Sequence, residues 1–499
     1  MERRQFVKTM GVGFAGFCVA GSADEVALAA GLPAEGSAPQ VGQRRPEGPP
    51  PESTTEVLNA IRREKFDTIL LEVMRKNKVD MWMHVMRESI PDPFGEEDLG
   101  STSGVFVFTD RGGNRAERAI LERRWGDSFA AATWRVNWDT RTVETCGAYD
   151  IIAPAVLVKE PSGPDQQLEY DLRFADFKKF VAERNPKTIA VNFKMELGPY
   201  ATTTHTLDGL SHTDYLLLAR AIGPEYAARL TSSEHVMMDY IIRRGPVEIA
   251  ELKRLRGQED IRVKKSFDSV VPGVSKNRDV NLTLFRPEPV GISQRGRSPG
   301  YENLVIQGGD ILASPSQGSY AYVLRKGEKE PPPEIQKYWA LYRKVDEILF
   351  ETVKVGLTPR EIVKAYKPKF AAAGFIVLDE QLQFATPPED FGAYHKGLDP
   401  MKPILNVDCH GMAKGARKRK YENYFGPRIG SNGPIWMWDV PLPPNHHMVM
   451  EYFFYMPVPI PENKDQYYYF WDHEQVLVDP EKGIQYLSPM KKELVLIPS

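Results

Sequence analysis

Cysteine is scarce in this chain: 499 residues hold only Cys18, Cys146 and Cys409. Three thiols cannot build a disulfide framework, so stability has to come from a buried core. An excess of charge of one sign is also missing, since 64 Lys and Arg stand against 67 Asp and Glu, for a net charge of −3. That balance offers no basic face to nucleic acid and no polybasic anchor for an anionic membrane, and neither is expected as a partner. No membrane span is expected either, because the N-terminal apolar run, Met10 to Gly21, is too short and too rich in glycine. Histidine is absent between His235 and His395. Nothing in that stretch can pass a proton through an imidazole.

The chain opens with Glu2-Arg3-Arg4-Gln5-Phe6-Val7-Lys8, a twin-arginine pattern, followed by the apolar run and by Ala27-Leu28-Ala29 as a cleavage site. Residues 1–30 are therefore expected to be an export signal that delivers a folded protein to the periplasm or another extracytoplasmic space. Cys18 follows Phe17 rather than a small residue, which argues against lipidation. Residues 31–53, rich in Pro, Gly, Ser, Gln and Arg, read as a disordered spacer. The remainder is long enough for two domains, 54–232 and 233–499.

Helices and strands interleave in the first of these. A helical period runs from Thr54 to about Lys76, and strands are expected at Val79–Val85, Gly104–Thr109, Ala119–Arg123 and Thr188–Phe193, with a helix at Arg173–Glu183. In the second, Pro246 opens a helix, and Pro333–Val355 carries one apolar stripe that stops at Gly356. Thr358-Pro359-Arg360-Glu361 is a capping box for another helix, expected to kink or break at Pro368.

Two later runs carry acid inside apolar sequence: His446 to Pro457 with Glu451 in its middle, and Tyr467 to Val478 with Glu474. Both read as buried strands, and a buried glutamate needs a partner. Two of them on neighbouring strands would form a like-charge pair unless a cation, a proton or a histidine lay between. Cys409, beside His410, is either a reactive thiol or a small buried hydrophobe.

The order of these features resembles the creatinase, Xaa-Pro aminopeptidase and methionine aminopeptidase superfamily. The residues that carry the resemblance are Val407-Asp408-Cys409-His410-Gly411, Gly426-Pro427-Arg428-Ile429-Gly430, the strand glutamates Glu451 and Glu474, Val270-Val271-Pro272-Gly273-Val274, Gly309-Asp310-Ile311-Leu312, and Tyr322 to Glu328. The resemblance covers the chain from about Ile241 onward, and the opening helix and strand are similar to the family's N-terminal domain. It implies an α/β (α+β) protein: a creatinase-like α/β domain, then a pita-bread domain whose curved antiparallel sheet is covered by helices. It also implies a homodimer that hydrolyses a peptide or other C–N bond, with His410, Glu451 and Glu474 as catalytic residues and metal ligands. Asp139, Arg141 and His205 stand where such proteins reach into a partner's site, or else in solvated loops.

Departures from that pattern are as specific. Neither of the family's metal-ligand aspartates has a counterpart after Gly309-Asp310, and a basic insert, Lys414 to Lys420, sits where the family keeps a tight apolar turn. That insert is either a contact surface or a solvated loop. Two divalent ions about 3.5 Å apart repel by roughly 19 kcal/mol at an effective dielectric near 20, and about four carboxylates are needed to hold them. With two glutamates, one divalent ion (manganese, zinc or cobalt) on His410, Glu451 and Glu474 is the arrangement that the residues allow, with His473 and His447 as further candidates. Strand alternation sets His473 on the opposite face from Glu474. The alternative function is an inactive pseudopeptidase that serves as an exported binding or scaffold protein.

Overall fold

A computed structural model describes residues 53–86, 98–100, 104–121, 134–137, 142–145, 147–152, 177–195, 209–286, 288–289, 301–314, 318–378, 402–411, 426–430, 435–457, 466–487 and 493–499. The leader, nearly all of the spacer, Cys146, Asp139, Arg141, His205 and the basic insert lie outside them. The fold is mixed α/β, with several sheets and helices.

Thr54 caps the first helix, its Oγ1 accepting from the Val57 N–H at 3.4 Å. The single helical period of the sequence is two helices, Thr55–Thr68 and Leu70–Lys76, separated at Ile69. Strands β1 (Met81–Met86), β2 (Gly104–Asp110), β3 (Ala116–Ile120), β6 (Ile151–Ile152), β7 (Ile189–Val191) and β8 (Leu230–Ser232) form a six-stranded sheet in the order β6-β3-β2-β1-β7-β8, with β4 (Trp134–Asn137) and β5 (Thr142–Thr145) paired separately. Met81, Met83 and Val85 of β1 join one apolar core, while Trp82 and Met86 join another. A sheet covered on both faces explains why β1 reads as a continuous apolar run without alternation.

Strands β11 (Ile311–Ser314) and β12 (Ser319–Val323) form a hairpin at the centre of a four-stranded sheet, flanked by β9 (Thr283–Phe285) and, in parallel, β19 (Val495–Ile497). A seven-stranded sheet contains β10 (Glu288–Pro289), β13 (Ile376–Val377), β14 (Ile404–Val407), β15 (His410–Gly411), β16 (His446–Pro457), β17 (Gln466–Asp479) and β18 (Gly483–Tyr486). The long antiparallel pair β16–β17 is its backbone. Met448, Met450, Tyr452 and Phe454 of β16 and Phe470, Val476 and Val478 of β17 pack in one core with the helices Pro333–Thr352 and Pro359–Ala372. The second of these helices runs through Pro368 without a break. Most even-numbered positions of both strands thus face the helices, although Phe453 also joins that core, and Glu451 and His473 face the other way. Among the described residues no helix is long and apolar enough to cross a membrane.

Candidate metal centre

His410 opens β15, which pairs with β16 through His410↔Val449. One step along, the Asp408 N–H donates to the Glu451 carbonyl at 2.8 Å, so the turn that precedes His410 is hydrogen-bonded to the middle of β16. Across the sheet Glu451 pairs with His473, and Met450 pairs with Glu474. Directly paired residues share a face. Glu451 therefore shares its face with His473, and Glu474 lies on the helix-covered side.

The structure brings together only part of the set expected from sequence. His410 and Glu451 are brought together, with Nε2 to Oε2 at 3.2 Å, but Glu474 is not with them. His473 takes that place. One ligand atom from each of His410, Glu451 and His473 lies within 4.8 Å of the others, and the two imidazole centroids are 5.4 Å apart. His447 instead places its Nε2 3.2 Å from Gln475 Oε1. Glu474 is 1% exposed, and neither carboxyl oxygen has a hydrogen-bond partner among the described residues. Burial, only partly opposed by Arg256, pushes its carboxyl well above the ordinary range, so it stays a neutral acid.

Charge on the other face is arranged differently. Burial works to raise the Glu451 carboxyl, but the His410 hydrogen bond and the positive potential of His473, His410 and Arg428 outweigh it and draw it down to about 2. His473, half-buried, is lowered to about 4 by desolvation against the pull of Glu451, which leaves it a neutral ring with a lone pair to offer. The His410 Nδ1 lies 3.2 Å from the Gly411 carbonyl oxygen. With Nδ1 donating there, Nε2 can donate to Glu451 only in the protonated ring, and the neutral ring would turn a lone pair on the carboxylate. That arrangement calls for a cation or a proton between them.

Asp408 and Arg428, given no role from the sequence, also meet here. Asp408 is fully buried and receives both Nε and Nη2 of Arg428. An aspartate two residues before His410 on an extended segment shares its face, and that spacing was the available signal. Cys409, fully buried with its thiol pushed well above its usual value by desolvation, packs in the core as a small hydrophobe. On the β11–β12 hairpin, after Asp310, the described residues carry no carboxylate.

No protein-family model and no curated protein matches the chain. Solved structures are similar to it over most of its length. The X-Pro aminopeptidase from Thermotoga maritima MSB8 aligns with 85% of this chain and 100% of its own, at 12% identity and a TM-score of 0.48. For the Xaa-Pro dipeptidase from Bacillus anthracis the shares are 88% and 100%, at 14% identity and a TM-score of 0.46. The prolidase from Pyrococcus horikoshii OT3 gives 89% and 100%, at 12% identity and a TM-score of 0.43.

Proposed function

We propose that this chain is a divergent, exported, dimeric hydrolase of the Xaa-Pro aminopeptidase/creatinase type, acting on a peptide or other C–N bond through a single divalent ion on His410, Glu451 and His473. The observation that carries this reading is the convergence of one ionised carboxylate and two imidazoles on one face of β15, β16 and β17. Two imidazoles and one carboxylate suit zinc, and manganese or cobalt can take the same set. An ion there supplies a Lewis acid and lowers the pKa of a bound water. Glu451 contributes the only full negative charge of the three. His410 is oriented by Gly411, and His473, as the half-buried member, faces the side from which a substrate would enter.

A second reading, a catalytically inert binding protein, is favoured by the state of the other carboxylates. Asp408 is engaged by Arg428 and Glu474 lies across the sheet, so neither stands ready as a general base. Cobalt titration of the purified full-length protein, followed by its visible absorption, separates the readings. The metal-centre reading expects one Co²⁺ per chain, lost in Glu451→Gln and in His473→Ala, with cleavage in a panel of Xaa-Pro peptides and simple amides. A parent protein that takes up no cobalt and no zinc overturns it.

A further inference from the structure

Asp408, Glu451 and His473 lie in one row across adjacent strands, because Asp408 is bonded opposite Glu451 and Glu451 is paired with His473. Two carboxylates facing each other on neighbouring strands repel unless each is answered by positive charge. The answers differ. Glu451 is met by His410 and His473, while Asp408 turns to Arg428, whose Nε donates to Oδ1 at 2.5 Å as Nη2 donates to Oδ2. A two-pronged contact of this kind fixes angle as well as distance.

The segment that carries Arg428 is fitted to the same turn. The Ile429 N–H donates to the Cys409 carbonyl at 2.8 Å, and Gly430, at φ +138°, lies so close that a Cβ would come within 2.4 Å of the Val407 carbonyl oxygen. Residues 426–430 thus rest directly on residues 407–411. An apolar contact would hold the two segments at a lower desolvation cost but without direction.

We propose that the Asp408–Arg428 pair is a positioning clamp that sets His410 across from Glu451, so that His410, Glu451 and His473 converge on one cation; this rests on the metal-centre reading above. Neither clamp residue touches the ion. They act through the backbone between Asp408 and His410. Losing outer partners of this kind lowers metal affinity by about 10- to 100-fold.

The test is a Co²⁺ titration of the full-length chain, read by affinity and by the shape of the visible bands, with thermal unfolding of each variant as a check on folding. Arg428→Lys keeps the charge and loses the fork, and Asp408→Asn/Arg428→Gln removes both charges together, which leaves no buried charge unpaired. Folded protein of either kind is expected to bind at least about tenfold more weakly than the parent, with altered bands. If Arg428→Lys does not fold, the neutral double variant decides. Parental affinity and bands in a folded variant overturn the clamp and leave the metal centre standing. A parent that binds no metal overturns both.

Discussion

At Glu474 a carboxyl group is buried without a hydrogen-bonding partner among the described residues, opposite Met450 and beneath the helices. Its folded-state pKa is raised, so its contribution to stability is complete below the ordinary value near 4.5 and is lost as pH rises, by up to about 1.4 kcal/mol per unit. Glu474→Gln is therefore expected to be more stable than the parent at pH 8 and close to it at pH 4, with cobalt binding unchanged. Urea unfolding at the two pH values measures this, and equal stability at both would refute it. The same residue marks a limit of the sequence. The motifs singled out His410 and Glu451, but β17 carries four polar residues in a row, Asp472 to Gln475, so alternation could not say whether residue 473 or 474 shared the face of Glu451. Only pairing with β16 decides that, and a shift of one residue exchanges the two faces.

Among elements, the helix Pro359–Ala372 was the most legible. The Glu361 N–H reaches Thr358 Oγ1 at 3.3 Å while the Thr358 N–H reaches Glu361 Oε2 at 2.8 Å, as the Thr-Pro-Arg-Glu spacing predicts. Thr358→Ala is expected to lower stability by about 1 kcal/mol, measured as a shift in the denaturation midpoint without a change in metal binding. Pro368 misled because its tendency to break a helix competes with packing: Tyr366 and Phe370 on either side are buried against the core, and the helix continues. The opening helices show the reverse, a sequence period that carries on across Ile69, where the first helix ends and the second begins. Strand existence was legible where apolar runs are long, as in β1, β2, β16 and β17, while short strands such as β13 and β19 carry no such run. Strand partners were not legible, because pairings such as Ala321 with Val495 join segments that share no local signal.

Across the molecule, acid is expected to be more damaging than the near-neutral net charge implies. Desolvation lowers His446 and His473 to about 4 and His447 well below its ordinary value, and all three are neutral when folded. Their folded-state pKa values are depressed, so this stability is complete above about pH 6.5 and drains away as pH falls towards 4, when the unfolded chain takes up protons that the folded one cannot. Up to three protons steepen the loss to about 4 kcal/mol per pH unit. Urea midpoints between pH 7 and 4.5 should fall on that slope, and His446→Asn should flatten it. His446 also ties distant parts together, its Nδ1 lying 3.3 Å from the Ile242 carbonyl oxygen. Export is tested separately: Arg3→Lys/Arg4→Lys is expected to leave the precursor in the cytoplasm, and normal delivery of that variant would refute twin-arginine targeting.

Beneath the sheet, Tyr342 donates to Asp472 at 2.9 Å, and Tyr452 and Tyr486 donate to Asp346 at 2.9 and 3.2 Å, with Arg343 also on Asp346. Burial, reinforced by the neighbouring aspartates, pushes all three phenols above their usual range. Surface tyrosines ionise gradually as a solution is made alkaline, but the fully buried Tyr342 and Tyr452 can do so only when the helix Pro333–Thr352 lifts from β16 and β17. Ultraviolet absorbance of phenolate should then rise in two stages, a gradual one and an abrupt, hysteretic one, and the second gives a label-free optical clock for the opening of this layer.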